Sequence, residues 1–497
     1  MAPADHPVLA CDEARRFEES YFGGAEAKEW PAMQRAGVAL AEAVLRDFEE
    51  IGGFPTDGRV FVLAGKGHNG GDALLAAQAI LAKFPAARAE VVLVFGERAF
   101  RPLARRAWQA LVQDASDRVA VIDPGHRPRG YDLCLDGVFG FQFRPPLEPR
   151  VAALLAQVNA LPIHLRAAVD LPSGLGAPGA FRADFTYATG IVKQPLVDGT
   201  HAALVGRLRY LDLGFFDAAD VASRLRMLTP AVLAPLAALR APESDKRTYG
   251  HLFILGGSRS FPGAVLLSAL AALRSGAGLV TAFVPESLAA AFAGRAPEAM
   301  WVGWPETADG GLALEGQHLL RARLGRADAL VIGPGLGSEP ETLALVADIV
   351  KTSPVPLVLD ADALQPDIVR TGPAPRVLTP HLGEFRRILA GDDFHDAPPT
   401  KDAVVVLKGR LTAISHARRG YYSPFGGPVL ARGGSGDLLA GLIGGLLAQT
   451  PSDPLLAASR GAVWHGLAAD ALARAHGQVA VQTTQLLDFL AVALRAR

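Results

Sequence analysis

The feature that most constrains this chain is an alternation of strands and helices that starts twice. From Gly58 it reads as the strand RVFVLAG, a glycine turn, the Ala/Leu helix DALLAAQAILAKF and the strand EVVLVFG, with YDLCLDG and HLRAAVDLPSG as later strands. A second start at HLFILGGS leads into the helix LLSALAALRSG and the strands LVTAFV, ADALVIGPG, PLVLDAD, RVLTP and AVVVLKG. Short apolar, β-rich runs separated by helical stretches predict parallel sheets covered by helices on both faces. The expected fold class is therefore α/β, with two doubly wound domains.

At 497 residues the chain exceeds what one hydrophobic core usually supports, which agrees with two domains. Between the two starts lies MLTPAVLAPLAALRAPESDKRTYG, punctuated by prolines and without a strand of its own. We read residues 1–226 as one domain, 227–245 as a linker and 246–497 as the second domain.

Hydrophobic residues make up 50% of the chain and charged ones 20%, a globular balance that excludes a disordered chain. Lys plus Arg number 49 against 50 Asp plus Glu, so no global field exists to hold nucleic acid or an anionic membrane. Phosphate recognition must be local. Cys11 and Cys134 are too few for a disulfide framework, and the charged start MAPADHPVLACDEARRFEES does not read as a secretory signal, so a cytoplasmic setting is expected. The most apolar stretch, Pro262 to Val284, is interrupted by Arg274 and fits a buried helix, turn and strand, with no membrane span expected.

The strongest local signal in the second half is ARGGSGDLLAGLIGGLLAQ, where Gly433 to Asp437 lead directly into an apolar helix. Backbone N–H groups freed by glycines and the helix N-terminus can converge on an anion. An aspartate there can take a proton from a hydroxyl while the backbone holds the phosphoryl group. Alone, the motif reads equally as a turn with a capping aspartate. Its neighbours are GPGLG at Gly333 to Gly337, LDADAL at Leu359 to Leu364, TPHLGE at Thr379 to Glu384 and KG at Lys408 and Gly409, each at the carboxyl end of an expected strand. Singly, His381 reads as a turn histidine and Lys408 as a solvated strand end. Asp360 and Asp362, at i and i+2 on a strand, are not placed among the catalytic groups.

This set, in this order, resembles the ribokinase-like superfamily, and more closely its ADP-dependent NAD(P)H-hydrate dehydratases, over about residues 240 to 497. The resemblance implies a ribokinase-like domain in which ADP, or ATP in some relatives, phosphorylates the hydroxyl of the hydrated nicotinamide ring. Phosphate then leaves, restoring NAD(P)H with AMP as the other product. It implies Asp437 as the base. Lys408, Gly409, Thr412 and Gly436 would hold the adenine nucleotide, Ala264, Gly335 and His381 would line the hydrate pocket, and Mg2+ would bridge the phosphates. Arg432 departs from the small residue or Thr usual before the glycines, and the segment Gly391 to Lys401 is shorter than the family's helical stretch.

In the first half, the strand RVFVLA runs into GKGHNGGDALLAAQAIL. Gly65, Gly67 and Gly70 fit a dinucleotide-binding spacing, but no ribose-binding acid follows at the expected distance. Taken with MQRAG at Met33 to Gly37, LDG at Leu135 to Gly137 and AVDLPSGL at Ala168 to Leu175, this loop resembles NAD(P)H-hydrate epimerases over about residues 10 to 225. The resemblance implies a Rossmann-like three-layer sandwich. It implies substrate contacts from His68, Asn69, Gly70, Gly71, Asp72 and Gly140, and a K+ ion on Asn69, Asp136 and Ser173. Asp170 would act at the hydrated ring, so that R-hydrate is converted to the S-form taken by the dehydratase. Here His68 replaces an asparagine of the family loop and Phe141 replaces a threonine, changes that bear on whether the epimerase is retained.

The resemblances together imply a bifunctional enzyme acting on NAD(P)HX and forming a homo-oligomer. Three other readings compete: a small-molecule kinase, a non-catalytic dinucleotide-binding protein, and a serine hydrolase suggested by LPSGLG and GGSGD. Neither of these last two segments matches the nucleophile elbow.

Overall fold

The computed structural model describes residues 4–123, 130–217, 221–389 and 402–495. The shortened segment Gly391 to Lys401 lies outside the described residues. The chain divides into two compact units, one of Pro7–Ser223 with Ala473–Gln478, the other of Met1–His6, Arg224–Leu472 and Val479–Arg497.

The first unit is built on a parallel sheet of β1 (Arg59–Ala64), β2 (Arg88–Leu93), β3 (Val119–Val121), β4 (Tyr131–Gly137), β5 (Ile163–Val169), β6 (Phe185–Thr189) and β7 (Arg207–Leu211). Their order is β3-β2-β1-β4-β5-β6-β7, every pairing parallel. The two-residue period of a strand sends alternate side chains of β1 to opposite faces. Val60, Val62 and Ala64 join the core under α1 (Glu26–Phe48) and α2 (His68–Lys83), while Phe61 and Leu63 join a second core with the helix Pro149–Ala160. This is the expected three-layer sandwich. Strand order reverses between β1 and β4, where Ala64 lies opposite Gly137, so the glycine turn after β1 opens at the crevice where such sheets bind ligands.

The second unit contains β8 (His251–Leu255), β9 (Leu279–Pro285), β10 (Met300–Trp304), β11 (Ala329–Ile332), β12 (Leu357–Leu359), β13 (Arg376–Leu378), β14 (Ala403–Leu407), β15 (Thr412–His416) and β16 (Arg419–Ser423). The order is β10-β9-β8-β11-β12-β13-β14-β15-β16, parallel as far as β14 and antiparallel through β15 and β16. Where a strand-free linker was expected, Leu225–Leu228 pairs in parallel with β16 and Pro230–Ala237 forms a 3-10 helix.

One face of this sheet is covered by α3 (Pro262–Arg274) and the apolar helix α5 (Ser435–Gln449); the short helix α4 (Leu382–Ile388) precedes α5 in the chain. On the other face Phe253, Leu255, Leu330 and Ile332 pack with Leu345, Ile349 and Val350 from the helix Pro340–Thr352. Glycine lets α5 lie close to α3: a Cβ on Gly441 would fall 2.0 Å from the Ser268 carbonyl oxygen. The apolar stretch from Pro262 is thus a helix, a turn and β9. Among the described residues no helix is long and apolar enough to cross a membrane.

Candidate active sites

In the second unit the chemistry gathers at the carboxyl ends of the strands. Gly434, with φ of +89°, turns the chain into α5, and Asp437 stands in that helix's first turn, half-buried. Burial pushes its carboxyl up to about 6; the Asp360 charge adds to this, the Lys408 ammonium opposes it, and Asp362 adds further. Lys408 follows β14 and places its Nζ 2.9 Å from Asp360 Oδ1, an oxygen that also accepts from Thr379 Oγ1 at 2.7 Å. Burial alone would lower the Lys408 ammonium, but Asp360 holds it above its ordinary value. A Cβ on Gly436 would come 3.1 Å from that Nζ, so the ammonium lies beside the start of α5. A helix N-terminus and a lysine together make a strong anion site.

The residues expected to line a hydrate pocket partly converge. Gly335 has φ of +69°, and a Cβ there would meet the Phe261 carbonyl at 2.3 Å and the Ala264 Cβ at 3.0 Å. Ser258 Oγ donates to the Gly335 carbonyl at 2.8 Å, and the Asp362 carboxylate accepts from Gly337 N–H at 3.0 Å. His381 caps α4, its Nδ1 accepting from Gly383 N–H at 3.0 Å, and its backbone pairs with that of Lys408 in an isolated parallel bridge. Its ring is largely exposed. Thr412 opens β15 opposite Ser423. Arg432 donates to the Val479 carbonyl at 2.7 Å.

In the first unit a cavity of about 560 Å3 opens beside the glycine turn and is lined by His68, Asn69, Asp72, Gly140, Asp170 and Lys193, among others. Asp170 directly follows β5 with φ of +67°, a conformation that few non-glycine residues hold. Its Oδ1 is 2.5 Å from Lys193 Nζ, and both side chains are almost wholly buried. The Lys193 ammonium also lies 4.9 Å from the centre of the Phe141 ring, the residue that replaces threonine. Asp72 is buried on α2 and its carboxyl is driven well above the ordinary range by burial, then by Asp170 and Glu18, against Lys193. Burial lowers the His68 imidazole below its ordinary value, with Glu29 at 3.8 Å opposing and Arg101 adding to the lowering.

Asp136 ends β4 fully buried and accepts from Ser173 N–H at 2.8 Å, Ser173 Oγ at 2.6 Å and Val138 N–H at 3.3 Å. Burial pushes it up to about 6 in spite of these donors, none of which carries charge. The Asn69 amide donates to the Val169 carbonyl at 2.8 Å, and a Cβ on Gly140 would come 2.3 Å from Asn69 Oδ1.

Residues 252–491 match the family model of NAD(P)H-hydrate dehydratase, and residues 31–195 that of the YjeF-related protein N-terminus. The bifunctional NAD(P)H-hydrate repair enzyme Nnr of Moorella thermoacetica is 35% identical over 494 residues, spanning 93% of this chain and 92% of that protein. Its counterpart in Gloeobacter violaceus is 38% identical over 519 residues, spanning 97% and 98%. The chain belongs to the bifunctional NAD(P)H-hydrate repair enzymes. Among solved structures, the ADP/ATP-dependent NAD(P)H-hydrate dehydratase from Bacillus subtilis, co-crystallised with ATP and Mg2+, is 30% identical, with 52% of this chain and 93% of that chain covered and a TM-score of 0.43.

Lys193 and Asp360 of this repair enzyme escaped the sequence reading. Lys193 lies 23 residues beyond Asp170 in no recognisable motif, and only the fold brings the two together. Asp360, set aside because of its strand spacing, is in fact the buried partner of Lys408. The LDADAL motif contained the signal, but the lysine that gives it meaning arrives 48 residues later.

Proposed function

We propose that this chain repairs hydrated nicotinamide cofactors in two steps. The first unit interconverts R- and S-NAD(P)HX, and the second dehydrates the S-form at the expense of ADP or ATP. The observation that carries the dehydratase is Asp437: a carboxyl tuned to about 6, in the first turn of α5 and under the influence of Lys408. Such a group is largely ionised at pH 7 yet basic enough to take a proton.

As Asp437 takes the proton of the ring hydroxyl, the oxygen attacks the terminal phosphoryl group of the nucleotide, releasing AMP from ADP. The new ester then loses phosphate, the neighbouring ring carbon loses a proton, and the double bond is restored. The α5 N-terminus and Gly436 hold the phosphoryl oxygens, and Lys408 offsets their charge. Gly409 and Thr412 hold the remainder of the nucleotide, while Ala264, Gly335 and His381 bound the hydrate pocket. Mg2+ suits this site, since Asp362 offers a hard carboxylate oxygen beyond the one that accepts from Gly337 N–H. Bound there with the nucleotide, it would neutralise phosphate charge.

In the first unit Asp170, fixed by Lys193, acts at the hydrated ring carbon. His68, Asn69, Gly70, Gly71, Asp72 and Gly140 surround the substrate. K+ fits Asn69, Asp136 and Ser173, because Asp136 is a fully buried carboxylate whose donors among the described residues are all neutral. When bound, K+ would balance that charge and steady the turn from Gly137 to Phe141. The cytoplasm, where nicotinamide cofactors accumulate, is the setting we propose.

The test is recovery of dihydronicotinamide absorbance from purified S-hydrate with ADP and Mg2+, for the parent chain and Asp437→Asn. We expect recovery in the parent and a loss of at least about 100-fold in the variant. Accumulation of a stable phosphoester would overturn the dehydratase and favour a kinase.

A further inference from the structure

The N-terminal cavity contains more ionisable chemistry than the Asp170–Lys193 pair uses. The helix Cys11–Phe22 runs beside it and ends at Gly23, whose N–H donates to the Glu19 carbonyl at 2.9 Å. From this helix Glu18, half-buried, lines the cavity. Among the described residues its carboxylate makes no hydrogen bond and no salt bridge. The charged groups that face it are Lys193, Asp170 and Glu29, with Asp72 on α2 also within its influence. Burial pushes the Glu18 carboxyl up to about 7, opposed by Lys193 and reinforced by Asp170 and then Glu29. An unpartnered carboxyl that is half protonated near neutral pH is suited to give or take a proton.

Epimerisation demands a second such group. To invert a ring carbon bearing a hydroxyl, a proton donor is needed on the face the hydroxyl leaves and an acceptor on the face where water returns. Asp170, held by Lys193 at 2.5 Å, can serve one face only.

We infer that Glu18 is the second proton-transfer group of the N-terminal site, acting on the ring face that Asp170 does not serve. The inference rests on the epimerase reading above. Protonated Glu18 gives its proton to the hydroxyl on ring carbon C6; the C–O bond breaks, water leaves, and the ring nitrogen lone pair forms the iminium double bond to C6. Water then adds to the opposite face, forming the new C–O bond, and its surplus proton passes to Asp170. The hydroxyl is restored with inverted configuration. One proton has moved from Glu18 to Asp170, and exchange with solvent returns it.

Glu18→Gln and Glu18→Asp in the full chain test this, with kcat and KM for R-to-S conversion followed without nucleotide from about pH 5 to about pH 9. We expect Glu18→Gln to lower kcat by about 100-fold, leave KM within about threefold, and remove the pH limb near neutrality. Glu18→Asp keeps the carboxyl and is expected to keep that limb with part of the rate, while ADP-dependent dehydration of S-hydrate is unchanged in both. Parental kcat and pH profile in Glu18→Gln would overturn the role. If that variant misfolds in the first unit, Glu18→Asp decides, since loss of its neutral limb also overturns the role. A parent chain that does not accelerate R-to-S conversion overturns the epimerase reading itself, an outcome distinct from failure of Glu18 alone.

Discussion

Asp437 and Asp360 influence one another electrostatically yet differ in their surroundings. Asp360 is buried against Lys408 and Thr379, which satisfy one of its oxygens, whereas Asp437 stands half-buried at the helix start with its carboxyl raised to about 6. As the proposed base Asp437 has to be unprotonated, and because its pKa is raised, protonation begins higher on the pH scale than for an ordinary aspartate. Dehydratase kcat/KM is therefore expected to be flat above about pH 7 and to fall about tenfold per pH unit well below pH 6. A pH profile with S-hydrate at low concentration checks this; a rate unchanged down to about pH 4.5 would contradict it. Asp437 stood out in the sequence because it follows a glycine run at the start of an apolar helix, whereas Asp136 and Asp170 were marked through the resemblance of their motifs to the epimerases. The sequence did not mark Lys193 or Glu18, whose meaning comes from a shared cavity and not from spacing. His381 was legible in part: its motif was recognised, and the structure adds that its ring nitrogen caps α4.

At the scale of elements, glycine placement decides what can approach what. On α5 a Cβ at position 441 would collide with the Ser268 backbone of α3 at 2.0 Å, and at 444 with Val331 at 2.2 Å. Gly433, just before the helix, would place a Cβ in open space. Gly441→Ala is thus expected to destabilise the second unit by about 1–3 kcal/mol through overpacking, and Gly433→Ala to leave stability within about 1 kcal/mol. Denaturant unfolding followed on that unit separates the two; equal effects would contradict the packing argument. The parallel strands and the buried helix were readable from apolar runs and glycine turns, because a strand covered on both faces has to be apolar throughout. The antiparallel β15 and β16 and the strand Leu225–Leu228 were not. Their residues alternate weakly, and their pairings with β14 and β16 are fixed by tertiary contact.

For the whole molecule, the strand order β3-β2-β1-β4-β5-β6-β7 opens the first site where the order reverses, and the second site lies at the carboxyl ends of β11, β12, β13 and β14. Two chemistries in one chain make sense if they act in series, one supplying the epimer the other consumes. The measurement that tests this most directly starts from an equal mixture of R- and S-hydrate with ADP and Mg2+, and follows recovery of dihydronicotinamide for the parent chain and for Asp170→Asn. The account predicts rapid recovery of the whole mixture by the parent, and in Asp170→Asn rapid recovery of half followed by the slow uncatalysed conversion of the rest. Identical two-phase curves for parent and variant would contradict the epimerase, and no recovery in either would contradict the repair function as a whole.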